Sequence, residues 1–149
     1  MAELLGTHSY QLDPKGRVSL PTRFREVFAD GAVLTLGQDG CLFCFPRAGW
    51  DERSREVHDL PLSDAESRAY ARMFFGKAEA VELDAQGRLL IPQRLRNEVG
   101  IRKEVVVLGV FDRVEIWDKD AQERYEQTHG GAYHAGTLEP GSRSGGRER

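Results

Sequence analysis

Asp13 and Arg17 stand four residues apart around a glycine, and Asp84 and Arg88 repeat the arrangement 71 positions later. Residues 12–25 read Leu-Asp-Pro-Lys-Gly-Arg-Val-Ser-Leu-Pro-Thr-Arg-Phe-Arg, and residues 83–96 read Leu-Asp-Ala-Gln-Gly-Arg-Leu-Leu-Ile-Pro-Gln-Arg-Leu-Arg. Seven of these 14 positions are identical and three more stay apolar, which chance rarely gives within one short chain. A guanidinium placed just past a turn glycine is planar, permanently charged and carried on backbone that the turn holds fixed. Such a group suits bidentate contact to guanine in a major groove, where each good pair gives about 1–3 kcal/mol of discrimination. Asp13 and Asp84 can cap the turn or hold the arginine in one rotamer. Arg23, Arg25, Arg94 and Arg96 suit phosphate contacts, which position a protein without specifying sequence. Lys15 and its counterpart Gln86 complete the candidate DNA-binding set. Gly16, Gly87, Pro21 and Pro92 are the accompanying structural positions.

The chain has 149 residues with 21 Lys+Arg against 24 Asp+Glu, a formal charge of −3. That balance alone argues against a domain held to nucleic acid by bulk positive charge. Its distribution argues the other way. Four bases and no acid lie between Pro14 and Arg25, and three bases and no acid between Ala85 and Asn97. Setting those seven aside leaves −10, so the acidity belongs to other surfaces. A structural ion pair across each turn would explain one Asp-x-x-Gly-Arg sequence. Two copies with matched downstream Pro, Arg and Arg favour a binding role.

Other chemistries find less support. No nucleophile, base and orienting group recur together, so no catalytic residues and no enzyme activity are expected. Cys41 and Cys44 have the spacing of a redox or half-zinc motif, but His8, His58, His129 and His134 are scattered and no second cysteine pair exists. Cys41-Leu-Phe-Cys-Phe45 reads instead as a buried strand with cysteines acting as small hydrophobes. No metal or cofactor is expected. No apolar run approaches the roughly 20 residues of a spanning helix, and a cytoplasmic chain without membrane or small-molecule partners is expected.

The elements that must present these residues follow a repeated order. Thr7 to Leu12 and Ala78 to Leu83 read as short strands. Asp13-Pro-Lys-Gly16 and Asp84-Ala-Gln-Gly87 have the residues of a type I turn followed by a left-handed glycine. Each turn leads to a return strand, Arg17 to Leu20 or Arg88 to Ile91. Pro21 and Pro92 suit a first helical position and open helices over Thr22 to Phe28 and Gln93 to Val99. A second hairpin closes each unit: Ala32 to Leu36 with Cys41 to Phe45, and Glu104 to Leu108 with Val114 to Trp117. At an offset of 72, Val33-Leu-Thr-Leu-Gly37 matches Val105-Val-Val-Leu-Gly109. A unit of about 45 residues buries too little surface to stand alone, so the two should pack as a pseudo-twofold pair. Ser63 and Glu66 predict a capping box ahead of a helix running to about Phe75 with Gly76 as its stop, and Tyr70, Met73 and Phe74 mark its apolar stripe. From about His129 the chain is rich in glycine and is expected to be disordered.

With its motif Asp-x-x-Gly-Arg-x-x-x-Pro duplicated about 70 residues apart, the chain resembles the MraZ family over about residues 5–128. That family comprises bacterial transcriptional regulators built from two SpoVT-AbrB-type domains. The resemblance implies a mainly β, α+β fold in which two swapped-hairpin AbrB-like β-barrel halves pack as an intrachain pseudo-dimer. It places domain 1 at 5–54, a helical connector at 55–80, domain 2 at 81–128 and a Gly/Arg-rich tail at 129–149. It further implies a nucleoid-associated homo-oligomer, a ring, that binds double-stranded DNA at guanine-rich direct repeats. The expected outcome is repression of the division and cell-wall gene cluster, including the regulator's own gene. The family signature falls on Asp13 and Arg17 and on Asp84 and Arg88; the second copy departs at Gln86, where the first has Lys15. Linked copies in a ring would multiply weak contacts through effective concentration. The competing reading is an AbrB-type antitoxin or an oligomeric interaction scaffold.

Overall fold

The two apolar hairpins lie side by side at the centre of one antiparallel sheet. In the computed structural model, which describes residues 3–137 and 140–141, the strands are β1 (Leu4–Gln11), β2 (Arg17–Ser19), β3 (Ala32–Leu36), β4 (Leu42–Pro46), β5 (Glu79–Val81), β6 (Arg88–Leu90), β7 (Glu104–Phe111) and β8 (Val114–Asp118). The helices are α1 (Thr22–Arg25), α2 (Arg47–His58), α3 (Ala65–Gly76), α4 (Gln93–Val99) and α5 (Lys119–Ala135). Antiparallel strands with short helices make this an α+β fold dominated by β structure, as the sequence predicts. The described chain divides after Lys119 into one compact unit up to that residue and a second from Asp120.

Strand order in the six-stranded sheet is β1-β7-β8-β4-β3-β5, and β2 pairs with β6 in a separate two-stranded ribbon. The ordering corrects one expectation. Each opening strand was expected to fold back on its own return strand, but β1 pairs with β7 and β5 with β3. Each repeat thus lends its first strand to the hairpin of the other, and β4 joins β8 at the sheet's midpoint. The two repeats share one sheet and one core.

The central strands are covered on both faces, which explains their near-continuous apolar runs. On one face Leu34, Leu42, Cys44, Val105, Val107, Val114 and Ile116 join Val18, Leu20, Phe24, Phe28, Leu89, Ile91 and Leu95 in the main core. The ribbon and the short helices α1 and α4 therefore close that face. On the other, Phe45 meets Trp50 of α2 and Phe74 of α3, and these two rings stack with centroids 5.0 Å apart. The Thr35 hydroxyl donates to the Phe74 carbonyl, fixing α3 to β3. Cys41 and Cys44 are buried free thiols, and burial pushes both well above the usual thiol range.

Several helix boundaries differ from the sequence reading. Pro21 and Pro92 sit at N-cap positions with extended backbone (ψ 142° and 143°), one residue ahead of the first helical turn. The helix expected to reach Phe28 keeps α geometry only to Arg25 and continues in tighter turns, with Val27, Phe28 and Ala29 each donating three residues back. Asp64, not Ser63, caps α3, accepting from the Ser67 amide at 3.1 Å. Gly76 is the last residue of α3 rather than the residue after it. α2 was not foreseen, because its only buried side chain is Val57 and it lacks a full apolar stripe. The expectation of disorder from His129 is corrected over residues 129–135, which belong to α5. Ala121, Gln122, Glu123 and Arg124 start that helix well, and Gly130 and Gly131, each costing about 1 kcal/mol relative to alanine, do not stop it. The rest of the expected tail, apart from 136–137 and 140–141, lies outside the described residues. Among the described residues no helix is long and apolar enough to cross a membrane.

Candidate nucleic-acid interface

Pairing in the ribbon decides which way its side chains point. Val18 stands opposite Leu89, Arg17 opposite Leu90 and Ser19 opposite Arg88. Val18 and Leu89 are fully buried, so alternation along each strand turns Arg17, Ser19, Arg88 and Leu90 outward. The two arginines of the repeated motif thus share one outward face although they come from different repeats.

Each arginine is held at the base of its own turn. The Asp13 carboxylate accepts the backbone amides of Lys15 at 3.0 Å and Arg17 at 2.8 Å, while its second oxygen receives Arg17 Nε. Asp84 does the same for Gln86 and Arg88, each amide at 2.9 Å, and for Arg88 Nε, also at 2.9 Å. Gly16 and Gly87 close the turns with φ of +88° and +76°, values that L side chains rarely adopt. The sequence expectation that aspartate caps the turn and fixes the arginine holds for both functions at once.

The two turns also meet. Arg88 Nη1 lies 3.6 Å from Asp13 Oδ2, and Arg17 Nη1 lies 3.9 Å from Asp84 Oδ2. Two carboxylates and two guanidiniums form one cluster across the pseudo-dyad, each side chain 22–30% exposed. Both carboxyls are held below the usual carboxylate range. The main cause is the amide of Arg17 for Asp13 and of Arg88 for Asp84; partial desolvation opposes it, and the side-chain bonds from the same arginines add to it.

The remaining predicted contacts separate into different environments. Lys15 and Gln86 are exposed at the turn tips, with Gln86 Oε1 accepting from Arg88 Nη2 at 3.3 Å. Arg23 is exposed, donates to the Leu5 carbonyl at 3.3 Å and lies over the Phe24 ring. Arg94 is exposed but pairs with Glu79 at 2.6 Å. Arg25 and Arg96 are half-buried and turn inward, donating through Nε to the carbonyls of Leu20 and Ile91, each at 3.0 Å. Sequence reasoning missed Ser19 and Leu90, which flank the arginines on the outward face; the period-two alternation of the return strands was the available signal. Leu90 is 50% exposed. Among the described residues no group of three or more His, Cys, Asp or Glu is placed to hold a metal ion.

A family model described as "MraZ protein, putative antitoxin-like" matches residues 4–73 and again residues 74–132. The chain belongs to the MraZ family. The doubled match coincides with the doubled turn. Proteins named Transcriptional regulator MraZ are similar over most of their length. One from Pelotomaculum thermopropionicum is 43% identical over 129 residues, covering 87% of this chain and 89% of its own. One from Moorella thermoacetica is 43% identical over 131 residues, covering 88% and 92%. One from Saccharopolyspora erythraea is 42% identical over 125 residues, covering 84% and 87%. In MraZ terms the six-stranded sheet and the ribbon are built jointly by the two matched segments.

Proposed function

We propose that this chain is a sequence-specific DNA-binding transcriptional regulator that docks its two-stranded ribbon and paired turns in a major groove. The observation that carries the reading is the convergence of Arg17 and Arg88 on one outward face, each tethered through Nε by its own aspartate with Nη1 beside the aspartate of the other turn. A ribbon is a known groove reader, and planar guanidiniums match the O6 and N7 acceptors of guanine. Lys15 at its turn tip and Arg23, exposed on α1, supply phosphate contacts, and Gln86 and Arg94 weaker ones. The regulator names of the relatives agree with this reading.

In the finer form of the proposal the chain is a cytoplasmic, nucleoid-associated repressor of the division and cell-wall gene cluster, its own gene included. Its operator is a set of guanine-rich direct repeats, engaged by a ring of identical subunits. The organisation is two SpoVT-AbrB-type domains, 5–54 and 81–128, joined by the connector 55–80. Head-to-tail assembly supports direct rather than palindromic sites, and linkage of many ribbons supports tight binding from modest individual contacts.

A gel-shift with the DNA immediately upstream of the chain's own gene, against a scrambled competitor at several salt concentrations, tests the reading. Preferential binding that weakens steeply with salt is expected. Equal binding to both sequences removes sequence specificity, and no binding at low salt removes DNA binding itself.

A further inference from the structure

The repeated Arg-x-Arg at 23–25 and 94–96 divides into an outer and an inner arginine. Arg23 and Arg94 stay at the surface, but Arg25 and Arg96 each reach the turn of the other repeat. Arg25 Nε donates to the Leu20 carbonyl at 3.0 Å, and the Leu20 amide donates to the Gly87 carbonyl at 3.1 Å. The loop closes because Gly87 sits directly on the Arg25 side chain. A methyl added at Gly87 would fall on Arg25 Nε and Cδ and within 2.6 Å of Cζ. The second half repeats the device. Arg96 Nε donates to the Ile91 carbonyl at 3.0 Å, the Ile91 amide donates to the Gly16 carbonyl at 3.0 Å, and a methyl at Gly16 would lie 2.7 Å from Arg96 Cζ.

We propose that Arg25 and Arg96 are positioning residues that act across the pseudo-dyad, Arg25 setting the turn that carries Arg88 and Arg96 the turn that carries Arg17. The flat guanidinium is the floor on which a peptide without a Cβ rests, and its Nε fixes the height of that floor to the ribbon. Lysine keeps the charge but has neither the planar face nor a donor at that place on its stem. The glycines are therefore required twice, for positive φ and for the guanidinium beneath them. As a statement about DNA the proposal rests on the groove-docking reading above; as a statement about the turns it does not.

The test uses the full chain with R25K, R25Q and R96K. Without DNA, R25K should shift the backbone amide signals of residues 86–88 more than those of residues 15–17, and R96K should do the reverse. With DNA, R25K and R25Q should each weaken binding about tenfold with little change in salt slope, as expected when a reading group is misplaced rather than a phosphate contact removed. R25K should couple more strongly to R88K, carried by the turn it sets, than to R17K, which that turn meets only through Asp84. A lysine that restores both affinity and amide positions, or a glutamine that lowers the salt slope by about 0.9, would assign Arg25 to a phosphate and overturn the proposal. In the unmutated chain a nuclear Overhauser contact between Arg25 Hε and Gly87 Hα is expected. Its absence overturns the proposal without recourse to any variant. If the unmutated chain binds no DNA, the groove-docking reading fails while the amide and Overhauser measurements still decide the positioning role.

Discussion

Arg88 Nη1 stands 3.6 Å from Asp13 Oδ2, so the arginine of the second repeat shares the carboxylate that caps the turn of the first. The reciprocal pair, Arg17 and Asp84, is at 3.9 Å. Each carboxylate accepts two amides of its own turn and is thereby immobile before either guanidinium arrives. Fixed anchors of this kind lower the entropy lost when an arginine docks on a partner. The four charges cancel, so the cluster adds little long-range attraction for phosphate and reserves its interactions for close contact.

Removing one anchor should therefore be felt at both turns. D13N keeps the size of the side chain but loses the charge facing Arg17 and Arg88. DNA affinity is expected to fall about tenfold, and base discrimination to weaken at positions read by either arginine. Fluorescence anisotropy with operator variants mutated one base at a time measures this. Loss confined to the bases contacted by Arg17 would show that the cross-dyad pair has no role.

The pH dependence has a definite sign. Asp13 and Asp84 have folded-state values below the ordinary 3.8. The unfolded chain thus binds more protons in that range, and the stabilisation from these groups is complete above about pH 4 and is lost as pH falls through the folded-state values. Thermal melts of the unmutated chain and of the D13N/D84N double variant should differ by a constant amount between about pH 5 and 8 and converge as pH drops towards 2. A gap that stays the same down to the lowest pH would mean that the charge of these carboxylates contributes nothing to holding the turns.

Val18 and Leu89 face each other under the ribbon and are fully buried. Leu89→Ala should cost about 2–5 kcal/mol in urea unfolding, because it removes transfer free energy and leaves a cavity that the short strands cannot close. Val18→Ala should cost less, and the two together should depart from additivity because they share one site. Simple addition of the two losses would place them in independent surroundings.

The order of strands and short helices was legible because turn signals recur in both copies and every copy checks the other. Asp13-Pro-Lys-Gly16 and Asp84-Ala-Gln-Gly87 are local features whose physics does not depend on the rest of the chain. Strand exchange was legible through the family resemblance, which implies swapped hairpins, and not through the residues of the repeat themselves. A duplicated sequence gives β1 the same complementarity to β3 and to β7, and only closure of the whole sheet chooses between them. The arginines show the same limit. Residue type and spacing marked all of Arg17, Arg23, Arg25, Arg88, Arg94 and Arg96, but which of them turns inward depends on the opposite glycine. Glu79 against Arg94 was hidden because its counterpart at the same offset in the first repeat is His8, so the repeat gave no reason to look for an acid there.

That last difference, with Lys15 against Gln86, makes the two halves electrostatically unequal. Arg94 has a carboxylate at 2.6 Å, whereas among the described residues Arg23 has only a backbone carbonyl and an aromatic ring. A phosphate approaching Arg94 must displace Glu79 or share the cation with it, while one approaching Arg23 meets an uncompensated charge. The first half should therefore supply most of the salt-dependent affinity. Lys15→Gln is expected to lower the slope of log affinity against log salt by about 0.9, and Gln86→Lys to raise it by a similar amount. Glu79→Gln frees Arg94 and should steepen the slope as well, at little cost to folding, since exposed pairs of this kind contribute about 0–1 kcal/mol. Titrations over a salt series with each variant give the slopes directly. Equal slopes for Lys15→Gln and the unmutated chain would remove Lys15 from the phosphate contacts and leave the arginines as the source of affinity.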